Sequence, residues 1–114
     1  MSIQLIDFAP AEEEMVVRAE EALKSAGYDT SILKVVIRQD DMPASYRGMT
    51  LGNDGIILGV KALSSQAMLN YVLEEELLHL QQKASGATIA FGPETARTLE
   101  KLVHEQRRFP CPED

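Results

Sequence analysis

The sequence predicts an α+β domain: an N-terminal helix, a small and mostly antiparallel sheet of three to four strands, then two further helices. Three observations lead there. Apolar residues recur at helical spacing directly behind Pro10. Short β-branched runs follow, two of them separated by Gly52-Asn53-Asp54-Gly55, residues that accept the positive φ angles of a hairpin turn. Helical spacing then returns and persists to about residue 108.

Residues 1–9 read as a short strand or extended lead-in. Pro10 with Glu12, Glu13 and Glu14 is a good helix start, because proline suits the first turn and acids face the positive end of the helix dipole. Met15, Val16, Ala19, Ala22, Leu23 and Ala26 form its apolar stripe, and Gly27 is the stop, so the first helix covers 10–26. Leu33 to Arg38 reads as a strand, Gln39 to Ser45 as a polar loop, and Tyr46–Leu51 with Ile56–Val60 as the two arms of a hairpin. Ser64 or Ser65 caps the next helix, which runs to about Ala84 and stops at Ser85-Gly86. Phe91-Gly92-Pro93 is a loop, Pro93 opens the last helix, and Pro110 ends it. No repeat, linker or low-complexity stretch divides the chain, so 1–114 is expected to be a single domain.

Composition excludes several function classes. The chain has 11 Lys+Arg against 18 Asp+Glu, a net charge of −7. A nucleic-acid binder needs clustered cations for phosphate, and beyond Arg107-Arg108 there is no basic patch. The longest apolar runs are too short to span a bilayer, and the N-terminus has neither the basic nor the apolar region of a secretory signal. The lone cysteine, Cys111, cannot form an internal disulfide and has no surroundings that mark it as a nucleophile. The expected compartment is the cytoplasm, and the expected partner a peptide or protein rather than nucleic acid or membrane.

The chemistry concentrates in one helix, at Leu73-Glu74-Glu75-Glu76-Leu77-Leu78-His79-Leu80. On a helical wheel Leu69, Leu73, Leu77, Leu80 and Ala84 share a face, and Glu76 falls inside it beside Val72, Leu73, His79 and Leu80. Glu74 and Gln81 fall on the opposite side, where solvated residues belong. A carboxylate among leucines is costly to desolvate, so its pKa should rise unless a cation neutralises it. Glu75 and His79, four apart, can reach one metal ion from consecutive turns, with Glu76 offset between them as a general base on a metal-bound water. The plain alternatives are a solvated acidic run and a helix-edge histidine that is hydrogen-bonded to a neighbour or ion-paired with Glu75. For Gln81-Gln82-Lys83 the surface reading is preferred. Asp40-Asp41 could assist a metal, but a polar loop needs no such role.

Glu75-Glu76-Leu77-Leu78-His79 resembles the H-E-x-x-H helix of zincin-type metallopeptidases, with Glu75 in the place of the first histidine. The resemblance extends to the order of a hairpin, the motif helix and a second helix over residues 33–108, and is akin to the small zincin-like domains of bacterial toxins and phage-type proteins. It implies a minimal zincin-like fold and a metal-dependent hydrolase, in particular a peptidase. Glu75 and His79 would be metal ligands and Glu76 the residue that activates water. Carboxylate is an acceptable zinc ligand, so the resemblance implies Zn²⁺ or another divalent metal. A third ligand would come from the last helix, where Glu94, Glu100, His104 and Glu105 are the candidates; among them His104 is slightly favoured as one of only two histidines in the chain, although taken by itself its preferred reading is a surface histidine. The alternative function is a non-catalytic acidic protein-binding module that keeps a zincin-like architecture.

Overall fold

Pro10 and the acids behind it start the first helix as expected: α1 spans Pro10–Ser25, and the Glu12 carboxylate turns back to accept the Ala9 N–H at 2.9 Å. The computed structural model describes residues 3–43, 45–86 and 93–112. Around α1 lie four strands, β1 (Gln4–Ile6), β2 (Val35–Arg38), β3 (Gly48–Leu51) and β4 (Gly55–Leu58). A short 3-10 turn (Val60–Leu63) leads into α2 (Gln66–Ala84), and α3 (Pro93–Gln106) follows. Phe91 and Gly92, expected in a loop, lie outside the described residues.

The sheet order is β1-β2-β4-β3. The hairpin is antiparallel, Gly48 facing Leu58 and Leu51 facing Gly55, with Gly52 taking the positive φ of the turn. The expectation of a mostly antiparallel sheet is nevertheless corrected. β1 pairs with β2 in parallel and β2 pairs with β4 in parallel, so the sheet is mixed. Two connections explain this. α1 carries the chain from the end of β1 back to the start of β2, a crossover that only parallel neighbours need. The chain after β2 then bypasses the neighbouring position and forms the edge strand β3 first. The hairpin return, β4, fills the gap beside β2 in the same direction as β2.

The core joins Val16, Ala19 and Leu23 of α1, Val36, Ile56 and Leu58 of the sheet, and Leu69, Leu73, Leu77 and Leu80 of α2. α2 is the central element. It packs against α1, β3, β4, the 3-10 turn and α3, so little of its circumference faces water. Ser65 caps it by accepting the Met68 N–H at 3.0 Å, and Ser85 N–H closes its far end on the Gln81 carbonyl. Lys83 fixes the hairpin to its last turn, donating to Thr50 Oγ1 at 2.6 Å and to the Gly52 carbonyl at 3.0 Å. Among the described residues no helix is long and apolar enough to cross a membrane.

Candidate functional site

The middle of α2 presents Glu75, Glu76 and His79 to a cleft of about 240 Å³. Tyr46, Gly48 and Met49 form one wall, and Leu99 and Glu100 of α3 form another. A second hollow, of about 620 Å³, shares Tyr46, Gly48, Glu75 and Glu76 and extends toward Arg47, Lys61, Ser64 and Tyr71. The shared residues make the two hollows one groove that crosses α2 at Glu75 and Glu76.

Glu76 is 5% exposed, as its place among the leucines predicts. Burial pushes its carboxyl up to about 8, with the charges of Glu75 and Glu100 adding to the effect and those of Arg107 and Lys83 opposing it. A carboxyl poised near neutrality at a cleft has the acid–base character that proton transfer needs. Gly48 is what lets β3 come this close. A Cβ there would stand 3.0 Å from Val72 Cγ1 and 3.4 Å from Glu76 Cγ.

His79 is held on both ring nitrogens. Nε2 stands 2.8 Å from Glu100 Oε1, and Nδ1 stands 2.9 Å from Gln82 Oε1. The Gln82 amide has its orientation set elsewhere, because its Nε2 donates to the Leu99 carbonyl at 2.9 Å. Its oxygen therefore faces His79, and Nδ1 must carry the hydrogen. In a neutral ring Nε2 then bears the lone pair, directly opposite a carboxylate oxygen. Two acceptors at 2.8 Å repel unless a cation, a proton or a metal ion, stands between them.

Glu75, His79 and Glu100 each offer one ligand atom, all within 4.8 Å of one another. Ligand atoms about 2.1 Å from a tetrahedral ion lie about 3.4 Å apart, so the His79–Glu100 pair would open by about half an ångström to accept one. An imidazole whose second nitrogen donates to a fixed acceptor is also the form that binds metal. One carboxylate, one imidazole and a second carboxylate suit zinc or another borderline divalent cation.

The structure brings Glu75, His79 and Glu76 together, as the motif spacing implies. Of the four candidates on the last helix, Glu100 meets His79. His104, the favoured one, lies a turn further along α3, is exposed, and is not part of the cluster; Glu94 and Glu105 are exposed as well. Asp40 pairs with Arg38.

Glu74 requires the largest correction. Expected in solvent, it is 0% exposed. Its Oε2 accepts from Tyr28 Oη at 2.8 Å, from the Arg108 N–H at 2.7 Å and from the Phe109 N–H at 3.3 Å, while Oε1 lies 3.4 Å from Arg107 Nη1. The cause is the chain after α3, which folds back over the side of α2 that a single apolar face leaves to water. Leu78, four residues from Glu74 and also buried, was the sequence signal for that second packed face. Gln82, read as surface, and Arg107 are the other residues that spacing did not reveal. Gln82 stands three residues from His79, a spacing that permits its contact. Arg107 could not be found that way, since its partners Tyr71, Glu74 and Glu75 are more than thirty positions distant. No protein-family model matches the chain, and no curated protein or solved structure is significantly similar to it.

Proposed function

We propose that the protein is a metal-dependent hydrolase, in particular a peptidase of minimal zincin-like design. The observation that carries the reading is the His79–Glu100 contact. Gln82 takes the hydrogen on Nδ1, so Nε2 faces a carboxylate at 2.8 Å, an approach satisfied by a proton or, once the pair opens slightly, by a divalent ion beside Glu75 at the floor of a cleft. Glu75, His79 and Glu100 would hold it. A divalent ion there supplies Lewis acidity toward a carbonyl and makes water more acidic. Glu76 takes the proton of the attacking water and returns it to the leaving amine, a double duty that suits a carboxyl raised to about 8 by burial.

A peptide is favoured as substrate by the groove's border. β3 is an edge strand, and its free edge can hydrogen-bond an extended backbone laid beside it. The groove continues past Glu76 on both sides, which leaves room for chain on either side of the cleaved bond. Zinc content of protein purified without a histidine tag tests the first half of the reading. Cleavage of unstructured peptide libraries by wild type, Glu76→Gln and His79→Ala tests the second. The reading requires zinc and cleavage in the wild type, zinc without cleavage in Glu76→Gln, and neither in His79→Ala.

A second reading has its own observation. Glu75 is ion-paired with Arg107 and Glu100 with His79, so a proton on the imidazole would satisfy the cluster without any metal. The domain would then be an acidic protein-binding module. It would purify without stoichiometric metal, and chelators would leave its melting temperature unchanged.

A further inference from the structure

Arg107 stands just beyond α3, yet its side chain is only 7% exposed. The guanidinium lies 3.6 Å over the Tyr71 ring, donates to the Tyr71 carbonyl at 3.0 Å, and lies 3.4 Å from the buried Glu74 carboxylate. Its remaining arm is ion-paired with Glu75 Oε1. Stacking and the contacts to Tyr71 and Glu74 fix the guanidinium plane without any help from Glu75. The backbone on either side of it is also held: the Arg107 N–H bonds the Val103 carbonyl, and the Arg108 N–H bonds Glu74.

Among the described residues Glu75 has no comparable support of its own: its one side-chain partner is Arg107. It is half-buried at the rim of the groove, and a glutamate side chain has several rotatable bonds that could carry it away from the His79–Glu100 pair. From this difference we infer that Arg107 is the positioning residue for Glu75: anchored on Tyr71 and Glu74, it holds one carboxylate oxygen of Glu75 and so aims the carboxylate at a divalent cation shared with His79 and Glu100. The inference rests on the metal-site reading. Its chemistry is that of an outer partner that orients a ligand. A guanidinium near a metal also repels it, but Glu74, buried against the same guanidinium, offsets that charge. Orientation therefore outweighs repulsion.

The test is zinc titration by calorimetry of the wild type, Arg107→Gln and Arg107→Lys, each first shown to be folded by circular dichroism. Loss of an outer partner typically weakens metal binding about 10–100-fold, and Arg107→Gln should fall in that range. Arg107→Lys should recover part of it, because it keeps the charge but loses the planar fork. Cobalt(II) substituted for zinc should give a visible spectrum that changes in Arg107→Gln, a signature that mere loss of stability in a folded variant does not produce. Should Arg107→Gln fail to fold, the wild type still decides: on zinc addition the guanidinium N–H resonances of Arg107 should shift in step with those of the His79 ring. Zinc affinity and cobalt spectrum unchanged in folded Arg107→Gln, or tighter binding there, would overturn the inference while leaving the metal site intact. If the wild type takes up no zinc, the reading of the site falls and this inference with it.

Discussion

Two carboxylates on α2, Glu74 and Glu76, are separated by one residue and are both buried, yet they live in opposite environments. Glu74 receives a phenol, two backbone N–H groups and a guanidinium. Glu76 sits against Val72 and Gly48 at a groove, where burial raises it to about 8 and the carboxylates of Glu75 and Glu100 add to the effect. Burial alone does not distinguish the two. The donors around Glu74 turn burial into a structural joint, whereas the burial of Glu76 among apolar neighbours, with like charges adding to it, turns into proton affinity. The burial of Tyr28 and its bond to Glu74 push the phenol up to about 12, the mark of the same joint seen from the other partner.

Removing each carboxylate should separate the roles. Glu74→Ala leaves Arg107 short of a buried partner and two backbone N–H groups unpaired. It should cost about 3–5 kcal/mol of unfolding free energy in chemical denaturation. Glu76→Gln should do the reverse, holding or raising stability in the metal-free protein and, under the proposed hydrolase reading, lowering the rate by about 10²–10⁴-fold. Equal cleavage by wild type and Glu76→Gln would remove Glu76 from the chemistry.

The same residue sets a pH dependence. The folded pKa of Glu76, about 8, lies above the ordinary value of 4.5, so between these limits the native state holds more protons than the unfolded one. Stability of the metal-free protein should therefore fall as pH rises from about 4.5 to about 8, and the decline should flatten in Glu76→Gln. Denaturation midpoints measured across that range check it.

Smaller effects sharpen the contrast. Gln82→Leu removes the acceptor at His79 Nδ1 and frees the ring to change tautomer. Zinc affinity should drop about 10–100-fold, and the ring nitrogen shifts in NMR should move toward a tautomer mixture. Tyr28→Phe deletes one of the donors to Glu74 and leaves the groove alone. It should cost about 1.5 kcal/mol by denaturation with no change in zinc binding.

Much of this was legible in the residues. Pro10, Ser65 and the Gly52-Asn53-Asp54-Gly55 turn mark element boundaries through local chemistry, and each lies where it was read or within two residues of it. Glu76 was legible because its neighbours at three and four positions are apolar. Parallel pairing was not, since the direction of β2 against β4 depends on which strand of the hairpin takes the gap. Glu74 was missed because a wheel describes one packed face, and α2 has two. The choice of Glu100 over His104 was also out of reach. The two share a side of α3, and only the level at which α3 crosses α2 decides which of them meets His79.

The position of Arg107 and Glu100 late in the chain has a consequence for the order of assembly. During synthesis the strands, α1 and α2 have all been made by residue 84, and the fifteen residues of the buried core cluster all lie before it, although Phe109 later packs against that cluster. Glu75 and the Nε2 of His79 acquire their partners only once Glu100 and Arg107 follow. A nascent chain can thus hold most of its hydrophobic interior while its cleft lacks a wall and the carboxylate that faces His79. Any activity the groove has is withheld until translation has passed the end of α3.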